Sequence, residues 1–101
     1  RADTEPALTY FTQRDPLSYY NTQPATQING GVALDLAWRA QSPGTLAAAV
    51  NAVAGSGSVW VMMPDDLPLT EQTTALLSDT HSVSTKLDEN GMHFARYDLL
   101  E

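Results

Sequence analysis

Hydrophobic positions fall in short blocks separated by proline, glycine and acidic residues. Residues 7–11 (Ala7, Leu8, Thr9, Tyr10, Phe11) are a compact aromatic and apolar block and read as a strand. Asp15 followed by Pro16 is an N-cap and first-turn pair, so residues 17–21 read as a short helix. Residues 23–31 hold Pro24, Asn29, Gly30 and Gly31 and read as a loop. Residues 32–39 alternate: Val32, Leu34, Leu36 and Trp38 share one face, and Ala33, Asp35, Ala37 and Arg39 the other. Period two with one polar face predicts a half-exposed edge strand.

Ser42 and Pro43 repeat the cap-plus-proline signal, and the alanine-rich residues 46–54 favour helix, with Leu46, Ala49, Val50 and Val53 on one stripe. Gly55 and Gly57 end it. Val59, Trp60, Val61, Met62 and Met63 are continuously apolar between Gly57 and Pro64, the pattern of a central strand covered on both faces. Trp60 is therefore expected in the core. Asp65 and Asp66 open a further helix reaching about Asp79, with Leu69, Thr73, Leu76 and Leu77 inward. Residues 82–87 and 92–100 flank Asp88, Glu89, Asn90 and Gly91, and Asn-Gly between alternating segments predicts an antiparallel hairpin.

The order β-α-β-α-β-α-β-β predicts an α/β fold: a three-layer α/β/α sandwich on a mostly parallel sheet, strand order 2-1-3, with the C-terminal antiparallel hairpin beyond strand three. An α+β sandwich with helices on one face is the alternative; the doubly apolar third strand favours three layers. Residues 1–6 read as a linker and 7–101 as a single domain, the size one core can serve. The chain begins with Arg1, as a processed protein or a piece excised from a longer one does; the excised piece is the expectation.

Charge narrows the partners. Five basic against twelve acidic residues give a net charge of −7, which argues against nucleic acid, whose phosphates need a cationic stripe. It argues equally against charge-driven docking on anionic lipid. With no cysteine, thiolate metal sites and cysteine nucleophiles are excluded. No apolar run approaches the roughly 20 residues that span a bilayer.

Ligands of open α/β sheets bind outside the carboxyl ends of the strands. Here those ends carry Arg14 and Asp15, Arg39, and Asp65 and Asp66, the candidate binding rim. Capping accounts for Asp15 and Asp66 without a ligand, which leaves Arg14 and Arg39 as the stronger binding candidates. Asp65 and Asp66 are more simply caps than a divalent-cation site, so no metal and no cofactor is expected. A receiver-type phosphorylation site fails, since strand one ends in Arg14 and Asp15 and the only lysine is Lys86. Residues 55–58 precede a strand instead of opening a helix and are a turn, not a phosphate cradle. No serine-nucleophile elbow is present. His81 reads as a helix C-terminal dipole partner and His93 as a strand residue; neither has a ligand-spaced companion. Of Tyr19 and Tyr20, one ring is expected to pack and the other to stay partly exposed. No catalytic residue emerges.

The run Ser58, Val59, Trp60, Val61, Met62, Met63, Pro64, followed by Leu69, Thr70, Glu71, Gln72, Leu76 and Leu77 and closed by Phe94, Ala95, Arg96 and Tyr97, resembles the extracytoplasmic C-terminal domain of bacterial polytopic membrane glycosyltransferases. These belong to the protein O-mannosyltransferase and aminoarabinose-transferase-like superfamily. Asp15, Pro16, Leu17, Ser18, Tyr19 and Tyr20 are similar to its D-P-x-x-Y-Y segment. The resemblance implies a parent enzyme that takes sugar from a polyprenyl-phosphate donor outside the membrane, with its catalytic acid and metal site in a part absent from this chain. The domain would then be accessory to acceptor or donor positioning. Its partners would be the transmembrane portion of its own parent chain and a glycan or lipid-linked sugar. A free-standing α/β ligand-binding or regulatory module is the other reading.

Overall fold

The structure, a computed structural model, describes residues 25–28, 30–36, 43–89 and 91–101. In chain order these form β1 (Ala25–Ile28), β2 (Gly31–Asp35), α1 (Pro43–Ala52), β3 (Ser58–Pro64), α2 (Leu67–Leu77), β4 (His81–Glu89) and β5 (Met92–Leu99). The strands make one five-stranded sheet in the order β1-β2-β3-β5-β4. Only β2 and β3 pair in parallel; β1–β2, β3–β5 and β5–β4 are antiparallel.

This corrects the expected three-layer, mostly parallel sandwich. Val32 registers directly with Val59, and Leu34 with Val61, so no strand lies between them and the order 2-1-3 does not hold. Both described helices lie against one face of the sheet. There Leu46, Ala49, Val50 and Val53 of α1 and its final turn, with Leu77 of α2, enclose Val32, Leu34, Val59, Val61, Met63, Ala95 and Tyr97. The expected first strand, residues 7–11, and the short helix after it lie outside the described residues, as do the linker and the tyrosine pair.

Two further expectations change for the same reason. Residues 25–31 are not all loop: β1 pairs with β2, and Gly30 takes the positive φ of +98° that lets the chain reverse there. Consequently β2 is not an edge strand but has a neighbour on each side. Its second face is not solvated either, for Ala33 and Asp35 are buried. Ala33 clusters with Trp60 and Phe94 on the face away from the helices. An alanine on the "polar" side of an alternating strand is small enough to serve a second core, and the alternation alone did not reveal it.

The central position of β3 agrees with its unbroken apolar sequence: it lies between β2 and β5, and Trp60 is 3% exposed. The last hairpin also agrees. Gly91 has φ +76°, and β4 and β5 pair along their length with a bulge at Ser84, where register slips between Val83 and Thr85. Tyr97 ties α2 to the sheet through its hydroxyl, 3.0 Å from Thr74 Oγ1. Burial pushes the Tyr97 phenol above its usual 10.0, an effect the Thr74 hydrogen bond reduces.

Candidate functional site

The rim at the carboxyl ends of β2 and β3 is built by three backbone contacts. Leu36 N donates to Met62 O at 2.8 Å and aligns the two strand ends. Asp65 N donates to Gly91 O at 2.8 Å, drawing the β4–β5 turn against the exit of β3. Thr70 N then donates to Asp66 O at 2.8 Å as α2 begins. Asp66 sits in extended geometry at φ −121°, and its carboxylate accepts from Leu69 N at 3.1 Å. With Pro68 in the first turn, this is a capped helix start. Asp65 and Asp66 are both exposed. The structure thus joins Asp65 to the hairpin turn and assigns Asp66 to the cap. Arg14, Asp15 and Arg39, the other members of the expected rim, lie outside the described residues.

One acid at this rim escaped the sequence reading. Asp35 ends β2, registers with Met62, and is only 1% exposed. It lies on the same side of the sheet as Ala33, two residues before it, in the row that continues through Met62 to Phe94. Ligands of open α/β sheets bind outside such strand ends, and Asp35 stands at the carboxyl end of the one parallel pair among the described strands. The alternation put Asp35 on a solvated face, so nothing in the pattern singled it out.

A second missed pair is His93 and Asp88. They are direct cross-strand partners, with His93 Nδ1 2.7 Å from Asp88 Oδ1. The carboxylate accepts the Nδ1 proton, so in the neutral ring Nε2 carries the lone pair. That Nε2 is buried and has no hydrogen-bond partner among the described residues. The dyad has the electronic arrangement of a general base, but His93 is 3% exposed and closed to a solvent-borne substrate. Two-residue turn arithmetic would have found it: with Asn90 and Gly91 alone as the loop, Glu89 faces Met92 and Asp88 faces His93. Counting Asp88 and Glu89 into the loop hid the pair. His81, expected as a dipole partner, is instead buried at the start of β4, bonded through Nε2 to Ser56 O and through Nδ1 to Thr80 Oγ1 at 2.7 Å.

Away from the helices, Trp60 stacks on Phe94 with centroids 5.6 Å apart and planes 24° apart. The Arg96 guanidinium lies 5.3 Å from the Trp60 ring centroid, within cation–π range. Arg96 Nε also donates to Asp98 Oδ1 at 2.9 Å, and Ser58 Oγ donates to the same oxygen at 3.2 Å. Burial alone would raise the Asp98 carboxyl. Hydrogen bonds from Arg96, Ser84 and Ser58, with the Arg96 charge, outweigh it and hold the group below its usual 3.8.

Between α1 and α2 runs an apolar groove of about 320 Å³, lined by Leu46, Ala47, Gln72, Ala75 and Leu76. No three or more histidine, aspartate or glutamate side chains converge on a metal-sized site among the described residues. No helix among them is long and apolar enough to cross a membrane. No protein family, curated protein or solved structure matches the chain.

Proposed function

We propose that this chain is a non-catalytic, extracytoplasmic accessory domain of a membrane glycosyltransferase that takes its sugar from a polyprenyl-phosphate donor. Its working surface is the rim at the carboxyl ends of β2 and β3. One observation supports the non-catalytic part: four of the described side chains that could do chemistry are bound into the fold. Asp66 caps α2, Asp88 holds the buried His93, His81 is held by Ser56 and Thr80, and Asp98 is held by Arg96 and Ser58. The glycosyltransferase part rests on the resemblance alone. Its residues in β3 and β5 are core and pairing positions, so they speak to architecture and not to a reaction.

The test uses the full-length protein that carries this domain. Arg14→Ala with Arg39→Ala is expected to lower sugar transfer while leaving the melting temperature unchanged. Unchanged transfer would remove the rim from the reading, and turnover of a lipid-linked sugar by the isolated chain would overturn the accessory role.

The second reading, a small-ligand module, is favoured by the groove between α1 and α2. Its apolar lining and size suit a compact apolar molecule. Ala47→Trp would fill the groove and abolish binding of an apolar fluorescent dye there, whereas the accessory-domain reading expects no dye binding to lose.

A further inference from the structure

The described sheet ends at β4. Among the described strands its only neighbour is β5, and residues 82–88 are exposed throughout. An edge strand presents an unpaired row of backbone N–H and C=O groups, a template for another strand. Natural edges are blunted by bulges and charges, and β4 has both. The bulge at Ser84 interrupts the register of the first part of the strand, leaving residues 85–89 in regular pairing with β5. Lys86 stands in the middle of that regular stretch.

Lys86 and Asp88 disfavour two neighbouring registers of self-pairing and favour the one between them. A symmetric antiparallel pairing centred on Lys86 sets lysine against lysine, and one centred on Asp88 sets carboxylate against carboxylate. Centred on Leu87, the pairing sets Lys86 against the partner's Asp88, twice by symmetry. Lys86 and Asp88 register with Ala95 and His93, so both lie on one face and the opposite charges meet on the same side. Among the described residues Lys86 has no ion pair of its own. Leu87 lies on the other face, 47% exposed, and would be covered by its own copy. The single charge pattern of this edge is thus complementary to itself.

We propose that two copies of the chain associate edge to edge through residues 85–89 of β4, antiparallel and two-fold about Leu87, extending the sheet across both. The contact is small, well below the ~1,200 Å² of stable complexes. The net charge of −7 on each copy opposes the encounter at long range, a repulsion that ~0.15 M salt screens beyond about 8 Å. The pairing is therefore weak and concentration-dependent.

The chain has no cysteine, so single-cysteine variants report register cleanly. Across the two-fold axis opposed Cα atoms lie about 4.5–5.5 Å apart, within disulfide reach. Leu87→Cys is therefore expected to cross-link to its copy under mild oxidation. Thr85→Cys, exposed on the same face, is the control: its copy is displaced by four residues, about 13 Å, and does not bridge. In sedimentation equilibrium at ~0.15 M salt the mass should rise with concentration toward twice the 10.9 kDa of the chain. Lys86→Glu sets like charges opposite each other twice and should weaken association about tenfold, the effect of roughly 1.4 kcal/mol, while Lys86→Arg leaves it unchanged. A monomer at every concentration overturns the proposal. So does a dimer that tolerates Lys86→Glu and cross-links Cys variants at 85 and 87 equally, because it would use another surface.

Discussion

His93 and Asp88 face each other across the β4–β5 hairpin, and the buried imidazole donates its Nδ1 proton to the exposed end of a carboxylate 2.7 Å away. Among the described residues the bond is the ring's one polar contact, since Nε2 is buried without a partner there. Removing the carboxylate therefore leaves two buried ring nitrogens unsatisfied in place of one. Asp88→Ala is expected to cost about 1–3 kcal/mol, the desolvation scale of an abandoned polar group. His93→Leu in the same background should recover part of that loss, because an apolar side chain asks for no partner. Urea unfolding of the two single variants and the double variant measures this; additive losses would show that the two residues are not coupled.

Trp60 fills the second core together with Ala33 and Phe94. Its truncation empties a buried aromatic site and removes both the Phe94 stack and the Arg96 cation–π contact. Trp60→Ala should cost about 3–5 kcal/mol, a large part of the roughly 5–15 kcal/mol that holds a small domain together. A denaturant-melt change under about 1 kcal/mol would mean that Trp60 is not a core residue.

Trp60 was legible because its neighbours in sequence are all apolar, and such a run has few places to go but the middle of a sheet. The β4–β5 hairpin was legible because Asn90 and Gly91 separate two alternating segments. The same dipeptide at Asn29 and Gly30 carried the same signal, yet the alternation ahead of it is short and follows Pro24, so β1 went unread. Missing β1 made β2 an edge, and the edge assignment put Asp35 in solvent. Strand order was the least legible property. It is settled by which strand pairs with β3 over long sequence distances, and neither Val32 nor Val59 carries a local mark of its partner. Of the expected rim, the capping role of Asp66 was readable from the proline that follows it two residues on.

Gly31 is fixed by space and not by a turn conformation. A Cβ at this position would collide with the backbone carbonyl oxygen of Ser58, where β2 begins to run beside β3. Backbone cannot step aside as a flexible side chain can. Gly31→Ala should therefore destabilise by about 1–3 kcal/mol, the overpacking scale. Gly57 is the contrast: no atom lies near its added Cβ and its φ is not positive, so Gly57→Ala should be neutral or stabilising by up to about 1 kcal/mol. Equal effects at the two positions would show that β2 and β3 do not approach as closely as the structure has them.

Asp98 makes the acid side of the stability profile depend on one network. Arg96, Ser84 and Ser58 favour its ionised form more than burial opposes it, so the folded-state pKa lies below the unfolded value near 3.8. A carboxyl shifted down in this way contributes stability above the unfolded value and loses it as pH falls through the folded one. The loss belongs to the window from about pH 4 downward, not to neutral pH. Asp98→Asn keeps an acceptor for Arg96 and Ser58 but carries no charge to titrate. It should be less stable than the parent at pH 7 and should lose less on going to pH 3. The side chain is 35% exposed, so solvent screening keeps the effect modest. Arg96→Gln should act in the same direction and also loosen Trp60, which the guanidinium covers. Denaturant midpoints at the two pH values decide the matter: parallel drops for the parent and Asp98→Asn would mean that the Asp98 carboxyl is not held in its charged form by the fold.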